Sequence, residues 1–110
     1  MDESRARQLL AEERERIKGE AAALGFEVED DLSTTDLADS ASSLYQQEFD
    51  QSRLADLRSQ LEALERAEQR LARGEFGRSV ESGEPIPDAR LEIVPTAERT
   101  ESEQAHYEGR

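Results

Sequence analysis

The segment Phe76–Gln104, FGRSVESGEPIPDARLEIVPTAERTESEQ, has the layout of a zinc-binding knuckle without its metal ligands. A zinc ribbon holds its ion with two pairs of cysteines, and the two members of each pair lie three positions apart on a tight turn. This chain has Ser79 and Ser82 at the spacing of the first pair, and Thr100 and Glu103 at the spacing of the second. We therefore expect hydrogen bonds among these four side chains, together with a small apolar core, to hold the turns.

The residues around these positions form a second pattern. It matches, without a gap, every non-cysteine position of F-G-x-C-x-x-C-G-x-x-I-x-x-x-R-L-x-x-x-P-x-x-x-x-C-x-x-C, namely Phe76, Gly77, Gly83, Ile86, Arg90, Leu91 and Pro95. In this pattern the segment resembles the C-terminal C4 zinc finger of the DksA/TraR family. The four ligand positions, Ser79, Ser82, Thr100 and Glu103, are vestigial. Hydroxyls are poor zinc ligands and one carboxylate cannot replace the thiolates, so we predict that the family's zinc is lost and that no cofactor is bound.

Composition limits the function of the chain. The 110 residues include 14 Lys and Arg against 27 Asp and Glu, a net charge of −13. This charge opposes direct binding to DNA, because nucleic-acid affinity depends mainly on neutralising phosphates. No cysteine is present, which excludes disulfides, thiolate catalysis and cysteine-bound metal. The charged N-terminal segment is unlike a signal peptide and no apolar run is long enough for a membrane span, so we expect a cytoplasmic protein without a membrane partner.

Two helices are predicted before the finger-like segment. The first covers about residues 4–24, with Leu10, Ile17 and Leu24 recurring every seven residues. The second begins near Thr35 or Asp36 and runs to about residue 73, with a leucine stripe formed by Leu54, Leu57, Leu61, Leu64 and Leu71. Gly74 then ends it. The fold class is therefore mainly α, an antiparallel coiled-coil hairpin with a small C-terminal degenerate zinc-ribbon-like module. The expected divisions are 1–74 for the hairpin, with its acidic tip around 25–41, 75–104 for the module and 105–110 for a flexible tail.

The connector between the helices is strongly acidic. Between Gly19 and Ser52 there are nine Asp and Glu residues and no Lys or Arg. The segment Asp36-Leu37-Ala38-Asp39-Ser40-Ala41 resembles the D-x-x-D-x-A tip of the DksA/TraR coiled coil, and it precedes Phe76 by the separation expected for the family. A solvated acidic loop is the simpler interpretation of the charge alone.

The resemblance implies a protein that docks on bacterial RNA polymerase and inserts its coiled-coil tip into the secondary channel to modulate transcription initiation. It also implies that Asp36 and Asp39 are the acids of the tip and that Ala41 is the small residue beside them. Family members often act with the alarmone ppGpp and belong to the stringent response. Here the basic groups in or beside the module are Arg73, Arg78, Arg90 and Arg99, which are few for a polyphosphate.

Other functions remain open at the level of sequence. The main alternative is a coiled-coil adaptor that kept the scaffold but lost polymerase binding. A hydrolase or transferase is disfavoured because the chain has no Cys, no Gly-rich phosphate loop and no large core, so we expect no enzymatic activity. The apolar stripes can satisfy each other within one hairpin, which predicts a monomer, although pairing swapped between hairpins is conceivable.

Overall fold

The computed structural model describes residues 1–28 and 48–109. This part of the chain is mainly helical, with α1 at Glu3–Ala23, α2 at Glu48–Ala72, α3 at Asp88–Ile93 and α4 at Glu101–Glu108. Within it, β structure is limited to one isolated antiparallel bridge between Arg78 and Pro85. The predicted fold class is confirmed. The contacts divide the chain into two compact units, one of Glu12–Ala63 and one of Met1–Ala11 with Leu64–Arg110.

Helix α1 matches its predicted range closely. It begins after Asp2, whose carboxylate accepts a hydrogen bond of 2.8 Å from the backbone N–H of Arg5 and thereby caps the first turn. It ends at Gly25, which has a φ of 89° and lets the backbone N–H of Phe26 return to the carbonyl of Ala21 at 2.9 Å. A capping aspartate therefore sets the start of α1, and a glycine at positive φ sets its end.

Within the unit of Glu12–Ala63, α1 and α2 run antiparallel. Arg16 on α1 reaches Gln60 on α2 at 2.6 Å, whereas Glu20, one turn further along α1, approaches Arg53, earlier on α2, at 3.9 Å. The core of this unit contains Ile17, Ala21, Phe26, Val28, Leu54, Leu57 and Leu61, all buried. The leucine stripe thus does what its spacing predicts, because residues three and four apart share one face of a helix.

The second unit contains the end of α2 and the C-terminal module. Helix α2 ends as predicted, with Gly74 at a φ of 76° and the backbone N–H of Glu75 bound to the carbonyl of Arg70 at 2.8 Å. Leu64 and Ala67 are buried on the face of α2 that continues the stripe. The predicted start of this helix, near Thr35 or Asp36, lies outside the described residues.

The core of the module is smaller than the sequence predicts. Ile86, Leu91 and Ala97 are buried, and Phe76 packs against them. The sequence offers Val80, Ile93 and Val94 as further apolar residues for this core, but they are 51 %, 81 % and 39 % exposed. Helix α3 has only six residues and turns one face inward, so a side chain two positions after Leu91 points away from the core.

The C-terminal residues also differ from expectation. The sequence predicts a flexible tail over 105–110, but α4 continues through Glu108. The helix begins at Thr100 with a capping box, and the residues from Glu101 to Glu108 include neither proline nor glycine to interrupt it. Local N-terminal capping therefore extends regular structure into the segment predicted to be unstructured.

Among the described residues, no helix is both long and apolar enough to cross a membrane.

Candidate functional site

The first vestigial ligand pair lies on a tight turn. The backbone N–H of Ser79 donates to the carbonyl of Glu84 at 2.8 Å, and the N–H of Gly83 returns to the carbonyl of Ser79 at 2.9 Å. Gly83 has a φ of 77°, a conformation that L-residues with a side chain rarely adopt. The Ser79 hydroxyl accepts the N–H groups of Glu81 and Ser82 at 3.1 and 3.2 Å. The Ser79 hydroxyl thus lies at the centre of the turn and satisfies two of its backbone N–H groups.

The second vestigial pair starts helix α4. The Thr100 hydroxyl accepts the backbone N–H of Glu103 at 3.2 Å, while the Glu103 carboxylate accepts the backbone N–H of Thr100 at 2.9 Å. This reciprocal arrangement is a capping box, and it satisfies two N–H donors that the first turn of a helix leaves without an intrahelical partner.

Glu103 also joins the two pairs. The hydroxyls of Ser79 and Ser82 hydrogen-bond to its carboxylate and, with the backbone N–H of Thr100, lower the pKa of Glu103 from 4.5 to about 2. Hydrogen bonds to the charged form of a carboxylate favour that form. The four vestigial positions are therefore brought together, and we call them the Glu103 cluster. The hydrogen bonding that the sequence predicts among them is confirmed.

The donors of the Glu103 cluster do not fit zinc. They are three hydroxyl oxygens and one carboxylate, whereas structural zinc sites in proteins use thiolates and imidazoles. Ser79 and Ser82 already direct their hydroxyls to Glu103. Across residues 1–28 and 48–109, no group of three or more His, Cys, Asp or Glu side chains could hold a metal ion. In a zinc ribbon, a metal ion with four anionic ligands joins the two turns. Here hydrogen bonds to one carboxylate, that of Glu103, join them instead.

A second cluster lies around Glu98. Its carboxylate accepts hydrogen bonds from Arg66 Nε at 2.9 Å and from Arg70 Nη1 at 3.2 Å. Its backbone carbonyl accepts the N–H of Val80 at 2.8 Å. Burial opposes ionisation of Glu98, but the hydrogen bond from Arg66 and the charges of Arg66, Arg70 and Arg99 outweigh it and lower its pKa. Glu98 therefore ties α2 to the turn that carries the first vestigial pair.

Two further arginines connect parts of the module. Arg90 Nε donates to the backbone carbonyl of Arg99 at 3.0 Å, which joins α3 to the segment before α4. The Arg99 guanidinium pairs with Glu81 and lies 3.9 Å from the centre of the Tyr107 ring. The Tyr107 contact is a cation–π interaction, and it ties the last turns of α4 to the module.

The sequence alone did not reveal the burial of Arg70. Its side chain is only 8 % exposed, whereas the sequence shows only that it lies near the end of α2, where a positive charge favours the helix dipole. One signal was available, since Arg66, Arg70 and Arg73 follow a three-four spacing and must share one face of α2. The proposed tip residues Asp36, Asp39 and Ala41 lie outside the described residues.

Comparison with protein-family models gave no match. Comparison with curated protein sequences gave none either. Among solved structures, the chain is similar to the transcription factor DksA2 from Pseudomonas aeruginosa, with a TM-score of 0.60 and 29 % sequence identity over 97 % of this chain and 80 % of that one.

The hairpin and the metal-free finger-like module define a class of helical protein built on a zinc-ribbon scaffold that has lost its ligands. The chain is therefore similar to a DksA-type protein in fold and sequence, and it carries no cysteine at any of the four zinc-ligand positions.

Proposed function

We propose that this protein binds bacterial RNA polymerase and inserts the acidic tip of its hairpin into the secondary channel, where it modulates transcription initiation. The observation that carries the proposal is the likeness, over 97 % of the chain and at 29 % identity, to a solved protein described as a transcription factor. The antiparallel direction of α1 and α2 supports it, since this is the arrangement of a coiled-coil hairpin. In this proposal Asp36 and Asp39 are the working acids and Ala41 is the small residue beside them.

The charge of the chain suits a protein partner better than a nucleic acid. A net charge of −13 favours encounter with basic protein surfaces and disfavours direct contact with phosphates. The tip carboxylates would act by shifting an equilibrium between states of the polymerase, which requires no catalysis by this chain. We propose accordingly that the protein is not an enzyme, that it works in the cytoplasm as a monomer, and that it does not bind DNA directly.

The module serves as a metal-independent scaffold in this proposal. The Glu103 cluster and the Glu98 cluster keep the turns of the module in place, so neither zinc nor redox chemistry of finger cysteines has a part in regulation. Zinc-dependent members of such a fold would lose their module to a chelator, whereas this one should keep it.

The experiment compares three forms of the protein with bacterial core RNA polymerase, using a native-gel shift for binding and run-off transcription for activity. The forms are wild type, the tip variant Asp36→Asn/Asp39→Asn and a control variant, Asp56→Asn/Glu62→Gln, which makes the same charge change on exposed positions of α2. We expect wild type and control to bind and to alter transcription, and the tip variant to bind without altering it.

Two results would contradict the proposal. If the tip variant alters transcription as strongly as wild type, the acids are not the working groups. If wild type does not bind polymerase at all, the protein has kept only the scaffold, and an adaptor function for its hairpin becomes the hypothesis to pursue.

A further inference from the structure

Three arginines of the module converge on one cavity. Arg70 and Arg73 come from the end of α2, and Arg78 comes from the turn after Phe76. The cavity has a volume of about 330 Å³, and its remaining lining residues are Glu75, Ser79, Val80 and Gly83. Three arginines and one glutamate therefore line one cavity in a chain whose net charge is −13. Such a local reversal of charge requires an explanation.

Arg70 is the buried member of the three. Its side chain is 8 % exposed, and Nη1 donates to Glu98, which does not line the cavity. Its Nε is buried and has no hydrogen-bond partner. Buried polar groups in native proteins are nearly always satisfied, so an unpartnered donor on a cavity-lining side chain indicates a missing acceptor.

Burial and neighbouring charges both act on Arg70. Burial lowers the pKa of its guanidinium, Glu98 counteracts this, and the positive charges of Arg66 and Arg73 lower it further. An arginine stays charged under all ordinary conditions, so Arg70 keeps its positive charge beside the cavity.

Arg73 and Arg78 retain donor capacity. Arg73 Nε binds Glu75 at 2.8 Å, and Arg78 Nη1 binds the backbone carbonyl of Gly83 at 3.1 Å. Each guanidinium has several further N–H donors in a planar fork, a geometry that suits bidentate bonds to phosphate oxygens. Both side chains are exposed enough to turn toward a ligand, whereas Arg70 is held in place by Glu98.

We propose that this cavity binds a small phosphate-class oxyanion, either inorganic phosphate or the phosphate group of a small molecule, on the guanidiniums of Arg70, Arg73 and Arg78. A phosphate presents several acceptor oxygens to several donors at once and carries more charge than a carboxylate, which matches three cations around one cavity. The site is distinct from the proposed tip and does not depend on polymerase binding.

The test uses the full-length protein and inorganic phosphate as the probe. The ¹⁵N–¹H NMR resonances of the protein, including the Arg Nε–Hε signals, are followed as phosphate replaces chloride at constant ionic strength. Arg73→Gln and Arg78→Gln remove exposed lining arginines without disturbing the core, and circular dichroism checks that both variants fold. Arg7→Gln is the matched control, because Arg7 is 67 % exposed and does not line the cavity. Acetate and a phosphate monoester, ethyl phosphate, form the additional arms.

We expect saturable shifts at Arg70 Nε and around Ser79 with phosphate, and roughly tenfold weaker binding in either lining variant, since each removes a charge-assisted hydrogen-bond donor. The control should bind as wild type does. Binding of ethyl phosphate as well would identify the phosphate group of a small molecule as a ligand, and binding of phosphate alone would identify the free ion. Shifts that do not saturate, an equal loss in Arg7→Gln, or binding of acetate as strong as that of phosphate would overturn the proposal.

Discussion

Substitution of Glu98 by glutamine tests whether the buried end of α2 depends on one carboxylate. Glu98→Gln keeps the shape of the side chain and removes its charge. Glu98 is the anionic partner of both Arg70, which is only 8 % exposed, and Arg66, which is 52 % exposed. Both arginines therefore lose an ion pair in this variant. We expect the variant to be markedly less stable than wild type, because an arginine left without its counter-charge in a buried position is costly.

The magnitude follows from the exposure of the two bonds. A partly buried hydrogen bond to a charged group contributes about 1.5 to 3 kcal/mol, and an exposed ion pair such as Arg66–Glu98 contributes no more than about 1 kcal/mol. Because the glutamine oxygen can still accept one bond, we expect a loss of about 2 kcal/mol in the free energy of unfolding. For a chain of this size that corresponds to a fall in Tm of roughly 10 °C.

Urea unfolding followed by circular dichroism at neutral pH measures this loss. Glu92→Gln is the control, because Glu92 makes the same kind of ion pair with Arg5 on an exposed surface and its loss should matter less. A double variant, Arg70→Met/Glu98→Leu, should recover part of the stability, since it removes both charges together. Equal effects of Glu98→Gln and Glu92→Gln would refute the argument that burial of Arg70 makes Glu98 important.

The Glu103 cluster predicts that Glu103→Gln lowers Tm, whereas Glu101→Gln, an equal charge change in the same turn of α4, has a smaller effect in a thermal melt. Because the folded pKa of Glu103 is about 2 against an ordinary 4.5, its contribution is complete above pH 4.5 and is lost as pH falls toward 2; acid titration of wild type should show this loss, and the titration of Glu103→Gln should be flatter in that window. Zinc or a chelator should leave the Tm and the circular dichroism spectrum of wild type unchanged, and a chelator-induced loss of helix would contradict the metal-free module. Leu61→Ala in the hairpin core should cost about 2 to 5 kcal/mol in urea unfolding, whereas Glu62→Ala beside it should cost far less; similar costs would contradict the predicted face of α2.

Several features could be predicted because they depend on short-range rules. The C-terminal ends of α1 and α2 follow from glycines at positive φ, and the buried face of α2 follows from the three-four spacing of its leucines. The turn at Ser79 and its link to Glu103 were also predictable, because hydroxyl and carboxylate groups at the spacing of zinc ligands can form hydrogen bonds in place of the metal. The helical end of the chain was missed because the capping box at Thr100 was not recognised.

The sequence by itself determined the helical class, the C-terminal ends of α1 and α2, the absence of cysteine and the resemblance to a zinc finger. Each of these depends on composition or on residues near one another in the chain. Only the tertiary structure decided that Val80, Ile93 and Val94 remain exposed, since the short helix α3 can bury one face alone. It also decided that Arg70 is buried against Glu98 and that three arginines border one cavity. The contact between Arg70 and Glu98 joins residues 28 positions apart, and charge patterns along the chain do not reveal which side chains lose their water when the chain folds.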